Sequence, residues 1–143
     1  MIDCLFCKII NKDLPSERTV YEDGHVFVML DVHPCTEGHV LVLPKVHAEN
    51  IIELPKDITK PLFETVKKMT AILQETLSPA GFTIGINHGR VSGQSIDHLH
   101  IHVIPRYEGD GGGSLHSIFK KPSVGNTSGE SLKELASKLR EKI

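Results

Sequence analysis

Apolar residues along the chain fall into short alternating or continuous runs, with helical spacing in three stretches. From Cys4 to Asn11, Leu5, Phe6, Ile9 and Ile10 mark the apolar side of a short helix, which Leu14-Pro15 ends. Arg18 to Glu22 and His25 to Asp31 read as two strands joined at the turn signal Asp23-Gly24, a hairpin. Val32 to Gly38 reads as a loop. His39 to Leu43 reads as a third strand closed by Pro44, and Ala48 to Leu54 as a short helical turn. From Asp57 to Leu77, the positions Ile58, Leu62, Val66, Met69, Ile72, Leu73 and Leu77 recur every three or four residues, one face of a long helix stopped by Ser78-Pro79. Gly81 to Asn87 and His98 to Ile104 read as the fourth and fifth strands, the last ended by Pro105. Gly109 to Gly129 is rich in Gly and Ser and reads as a mobile arm. Ser131 to Ile143 reads as a helix with Leu132, Leu135 and Leu139 on one side. The sum is an α+β domain: about five antiparallel strands with one long helix packed on them.

At 143 residues the chain suits one domain, with the structured core at about 4–107 and a variable loop and helix over 108–143. A formal net charge of −2 gives no broad electrostatic case for binding duplex nucleic acid. No apolar run approaches the roughly 20 residues of a membrane span, and Met1-Ile2-Asp3-Cys4 lacks the look of a signal peptide, so the expected location is cytoplasmic.

Histidine changes the picture, with nine in the chain and three within five positions. In His98-Leu99-His100-Ile101-His102, strand alternation sends Leu99 and Ile101 to one face and the three imidazoles to the other. Such a row has several readings: a solvated strand face, a three-histidine metal site for hydrolysis, or a nucleophile on phosphorus with helpers. In the last, a neutral imidazole attacks with one nitrogen while an acceptor holds the other, and donors surround the phosphate oxygens. Gly93-Gln94-Ser95, just upstream, offers an open backbone, an amide NH2 and a hydroxyl. Cys4 and Cys7 form a C-x-x-C pair, the spacing of half a structural zinc site. Gly111-Gly112-Gly113 lacks the lysine and the strand-to-helix setting of a phosphate loop.

The stretch His98 to Ile104 resembles the H-φ-H-φ-H-φ-φ signature of the histidine triad (HIT) family. Gly93-Gln94-Ser95 is similar to its G-Q-S/T, Gly38 to Lys45 to its G-H-x-L-V-x-P-K, and Leu5 to Ile10 to its N-terminal segment. Asp31 and Asn87 stand at the spacings of the Hint branch. The resemblance covers about 4–107. It implies a homodimer whose two sheets join into ten strands. It also implies a hydrolase or transferase acting at the α-phosphate of purine nucleoside phosphate conjugates. His100 would be the nucleophile, forming a nucleotidyl-histidine, and His39 a buried partner that orients the row. His102, Gln94 and Ser95 would contact the phosphate and leaving group; Asp31 would bind the ribose hydroxyls, with Asn87 and Gly93 nearby. Phe6, Ile9, Leu30 and Val32 would line the base pocket. Some relatives complete a zinc site with two histidines, which here fall at His47 and His98 beside Cys4 and Cys7. The alternative to turnover is a nucleotide-binding regulatory module.

Overall fold

The computed structural model describes residues 3–120, 125 and 128–143. The elements run α1 (Leu5–Ile10), β1 (Thr19–Glu22), β2 (Val26–Leu30), β3 (Val40–Pro44), α2 (Lys56–Leu77), β4 (Gly81–Gly85), β5 (Ile101–Arg106) and α3 (Gly129–Arg140). The five strands form one antiparallel sheet in the order β1-β2-β3-β5-β4. This is the α+β architecture expected from the sequence pattern. The chain divides into two compact units, Met1–Asp110 and Gly111–Ile143. The second holds a short 3-10 turn at Leu115–Ile118 and α3, which Ser128 caps by accepting the Ser131 N–H. Its Leu132, Leu135 and Leu139 are each about half exposed. Of the arm expected over 109–129, positions 121–124 and 126–127 lie outside the described residues.

The sheet is apolar on both faces, so β2 and β3 are buried almost throughout. One face (Val26, Val28, Val40, Val42, Ile101 and Val103) packs under α2 through Leu62, Val66, Met69 and Leu73. The other (Phe27, Met29, Leu41 and Leu43) packs under α1 through Cys4, Phe6 and Ile10. Continuous apolar runs such as Val40 to Leu43 are what burial on both faces requires. Leu5, expected on the buried side of α1, is 47% exposed. Among the described residues, no helix is long and apolar enough to cross a membrane.

Two prolines sit differently from the sequence expectation, one beyond each end of the β3–β5 ladder. β5 was expected over His98 to Ile104 with Pro105 ending it, and Pro44 was expected to close the third strand. Both prolines lie inside strands, Pro44 paired with Val26 and Pro105 with Phe82. The β3–β5 ladder is short, from Val40–Val42 to Ile101–Val103. Lys45 N–H bonds His25 on the β2 side, so the missing N–H of Pro44 faces β5 beyond that ladder. Ala80 N–H bonds Arg106 O on the β4 side, so the missing N–H of Pro105 faces β3, where Thr36 Oγ1 donates to its carbonyl instead. Neither proline therefore removes a ladder bond. His98 and His100 precede the strand, and Leu99 N–H is held by Ala48 O. The alternation of side chains nonetheless persists through this lead-in, with Leu99 in the α2 core.

Gly38 ends the loop before β3 at φ +83°, and a Cβ there would lie 2.4 Å from Leu77 Cδ1 and 3.2 Å from Pro105 Cγ. Gly38→Ala therefore combines a left-handed backbone with overpacking against α2. It should lower unfolding stability by about 2 kcal/mol, read by urea denaturation. A loss under about 0.5 kcal/mol would contradict the packing described.

Candidate active site and metal centre

On the α1 face of the sheet, four histidines and an aspartate meet, and backbone groups fix what each ring can do. His100 Nδ1 lies 2.7 Å from the carbonyl of His98. A carbonyl only accepts, so Nδ1 carries the proton and Nε2 keeps its lone pair. That Nε2 has no protein partner among the described residues and is not sealed from solvent. His100 as a whole is 7% exposed, its ring held edge-on by Phe6 at 5.2 Å between centroids and by His102 at 5.0 Å. The acceptor that a nucleophilic imidazole needs is thus a main-chain oxygen two residues upstream.

The second chain of bonds starts at Cys35. Its backbone N–H donates to His39 Nδ1 at 3.1 Å, so the His39 proton sits on Nε2. His39 Nε2–H donates to His102 Nδ1 at 2.9 Å, which places the His102 proton on Nε2. That His102 Nε2 is buried and has no partner among the described residues. It is a preset donor awaiting an acceptor. The carboxylate of Asp31 lies beside the pair, Oδ2 being 3.4 Å from His39 Nε2 and 3.8 Å from His102 Nδ1. The same three residues are close enough to hold a metal ion. The Cys35 N–H occupying His39 Nδ1 makes them a hydrogen-bonded chain instead, because metal at Nε2 would force a proton onto Nδ1.

His98, on the same face, turns its ring toward the two cysteines. Its Nε2–H donates to Pro44 O at 2.9 Å, beyond the Pro44 end of the β3–β5 ladder. Its Nδ1 lone pair points at Cys4 Sγ (3.4 Å) and Cys7 Sγ (3.5 Å), and His47 Nδ1 stands 3.3 Å from Cys7 Sγ. All four ligand atoms lie within 4.8 Å of one another. A tetrahedral zinc with ordinary Zn–S and Zn–N lengths would set sulfur and nitrogen about 3.6 Å apart. The residues present therefore fit zinc, which when bound would cross-link α1 to the His98 segment. Burial and the neighbouring Cys4 push the Cys7 thiol up to about 11, so that thiol stays protonated near neutral pH and a bound cation is what would ionise it. The three histidines expected to project side by side are split: His98 serves the cysteine cluster with its ring and His100 with its carbonyl, while His100 and His102 share the open side.

Gln94 departs from its expected part. Its amide nitrogen donates to Glu49 O (2.7 Å) and Ile96 O (3.1 Å), and its Oε1 accepts from Gly89 N–H (2.8 Å). Both amide hydrogens are committed to the loop, so Gln94 shapes the loop rather than offering an NH2 to phosphate. Arg90 braces the same loop, donating to Ser95 O and Asp97. Gly93 sits at φ +95° facing Asn87, and Ser95 is exposed. Asp31 is half-buried between exposed Leu30 and Val32, and Ile9 is half-buried on α1. Lys45 pairs with Glu22 (3.5 Å) at the strand end. Cys35 and Pro44 act only through their backbones, and no side-chain pattern could have marked them.

The fold and these fixed rings define an α+β protein built to present imidazoles in preset tautomers. The HIT domain family model matches residues 13–109, and the chain belongs to the HIT family. A HIT family structure from Bacillus subtilis is similar at 38% identity, covering 99% of this chain and 98% of that one, with TM-score 0.86. A Zn-bound histidine triad family protein from Mycobacterium smegmatis is 30% identical over 99% and 98% of the two chains, TM-score 0.72. An adenosine 5′-monophosphoramidase of Candida albicans is 36% identical over 107 residues, 72% of this chain and 70% of its own.

Burial holds His102 down to about 4, assisted by neighbouring His100 and His39, and burial lowers His39 too. The unfolded chain then binds more protons than the native one between pH 6.5 and about 4, so stability is full above 6.5 and falls as pH drops through that window. At about 1.4 kcal/mol per unit, His102 should contribute on the order of 3 kcal/mol of acid sensitivity. His102→Gln should flatten the curve of stability against pH by a comparable amount in denaturant melts. An unchanged slope would show that His102 is already charged in the native state.

Proposed function

We propose that this protein hydrolyses or transfers nucleotidyl groups from purine nucleoside phosphate conjugates through a covalent intermediate on His100. The observation that carries the reading is the pair of fixed tautomers: a lone pair on His100 Nε2 beside an unsatisfied donor on His102 Nε2. In this reading the Nε2 lone pair bonds phosphorus as the bond to the leaving group breaks, and the leaving group takes up a proton. His102 donates to a phosphate oxygen, where negative charge develops. Water then attacks phosphorus, the N–P bond breaks, a proton is released, and the nucleoside monophosphate leaves. Asp31 takes the ribose hydroxyls, with Ile9, Leu30 and Val32 beside the base. Support comes from the named activity of the Candida albicans relative.

The Cys4, Cys7, His47 and His98 cluster holds a structural zinc on this proposal, supported by the sulfur–nitrogen spacings and by the Zn-bound relative. A homodimer is supported by β4, an edge strand, and by an apolar groove of about 560 Å³ along α2 and β4 that includes Phe63, Val66, Phe82 and Ile84.

His100→Asn keeps a donor for the His98 carbonyl but loses the nucleophile. Turnover of a fluorogenic adenosine phosphoramidate should fall at least about a thousandfold, with thermal melting nearly unchanged. Wild-type rates in that variant would end the proposal. Purified protein should carry one zinc per chain, and Cys7→Ser should lose it and melt at least ~5 °C lower. Metal analysis finding no zinc at neutral pH would refute the structural site.

A further inference from the structure

We propose that Asp31 is a positioning residue for the His39–His102 pair, its carboxylate serving as the counter-charge that lets this pair carry a proton, in addition to any contact with ribose. The inference rests on the reading of the site as a nucleotidyl-transfer centre. Its geometric basis is independent of that reading.

The two rings meet nitrogen to nitrogen at 2.9 Å, and only one proton fits between them. His39 cannot release its proton to the other side, because the Cys35 N–H already occupies Nδ1. A second proton arriving at His102 Nδ1 would set two donors face to face. The acceptor lying against both nitrogens is Asp31 Oδ2, at 3.4 and 3.8 Å. With it, one of the two N–H groups turns from its neighbour to the carboxylate, and the added charge is neutralised at close range. The charged or titratable groups facing the pair are Asp31 at the end of β2, His100 ahead of β5, and the two rings themselves. Of these Asp31 alone favours the protonated state, opposing the burial that disfavours it.

Asp31 is also held for this task. Its Oδ1 accepts the His33 N–H at 2.9 Å, and its own N–H donates to His39 O at 2.9 Å, which ties the carboxylate to the residue it serves. Hydroxyl groups that donate to the carboxylate would draw its charge away from the rings. Nucleoside binding would thereby keep His102 as a neutral donor, and release of the nucleoside would ease protonation.

Asp31→Asn is the informative variant, because the amide oxygen can still accept the His33 N–H while the charge is gone. The measurement is an NMR pH titration of the His39 and His102 rings in the substrate-free protein, assigned with His102→Gln. The midpoint of the pair should drop by about one unit in Asp31→Asn, and Asp31→Glu should restore part of it. An unchanged midpoint overturns the proposal. The acid limb of kcat/KM is the second reading, taken with a ribonucleoside phosphoramidate and with its 2′,3′-dideoxy counterpart. It should move in Asp31→Asn for both substrates. A change confined to KM for the ribonucleoside would reduce Asp31 to a ribose ligand and defeat the inference. Were the chain to prove inactive, the titration would still decide the matter, so failure of the functional reading and failure of this one remain separate.

Discussion

A neutral imidazole has one donor and one acceptor nitrogen, and whichever neighbour claims the first decides what the second can do. Main-chain groups make that claim on three rings of this site: the Cys35 N–H on His39, the His98 carbonyl on His100, and the Pro44 carbonyl on His98. His102 inherits its tautomer from His39. Backbone groups cannot titrate or swing away, so the pattern is as rigid as the sheet that carries it. The result is one free lone pair, one free donor, and one lone pair aimed at two thiols.

This pattern depends on how the sheet is interrupted. Were β3 and β5 paired along their full length, Pro44 O would face a strand and His98 could not reach it. Pro44 leaves the end of β3 without a ladder partner, and the lead-in to β5 uses that space, while Pro105 lies at the other end of the ladder. Leu99 remains pinned to Ala48 and buried under α2, which keeps the alternation of side chains in register where no ladder enforces it. The short helix α1 closes the arrangement. It brings both cysteines to His98 and sets Phe6 edge-on against His98 and His100.

The thiol cluster and the nucleophile are therefore neighbours through one residue. The ring of His98 belongs to the first and its carbonyl to the second. A cross-link at the cysteines would stiffen the segment from which His100 is oriented, without the ion touching the reacting atoms. Burial adds a second economy: it removes charge from His39 and His102 near neutral pH, which suits rings used as neutral donors.

Sheet, long helix and histidine alternation were legible in the sequence, because apolar periodicity follows directly from the geometry of helix and strand. Residue type and spacing likewise marked His100, Cys4 and Cys7, since few other side chains offer a nitrogen nucleophile or a soft ligand. Strand ends were misjudged at Pro44 and Pro105, where a missing N–H is harmless only if it faces no partner, and facing is a property of the sheet. Gln94 looked like a donor for phosphate, yet three carbonyl and amide partners from 2 to 45 residues away had already taken its side chain. Cys35 N–H and the carbonyls of His98 and Pro44 were invisible, because every residue has such groups and only folding aims them. The sequence determined which side chains could react; tertiary structure alone decided where each proton sits, because that depends on backbone groups brought together from distant parts of the chain.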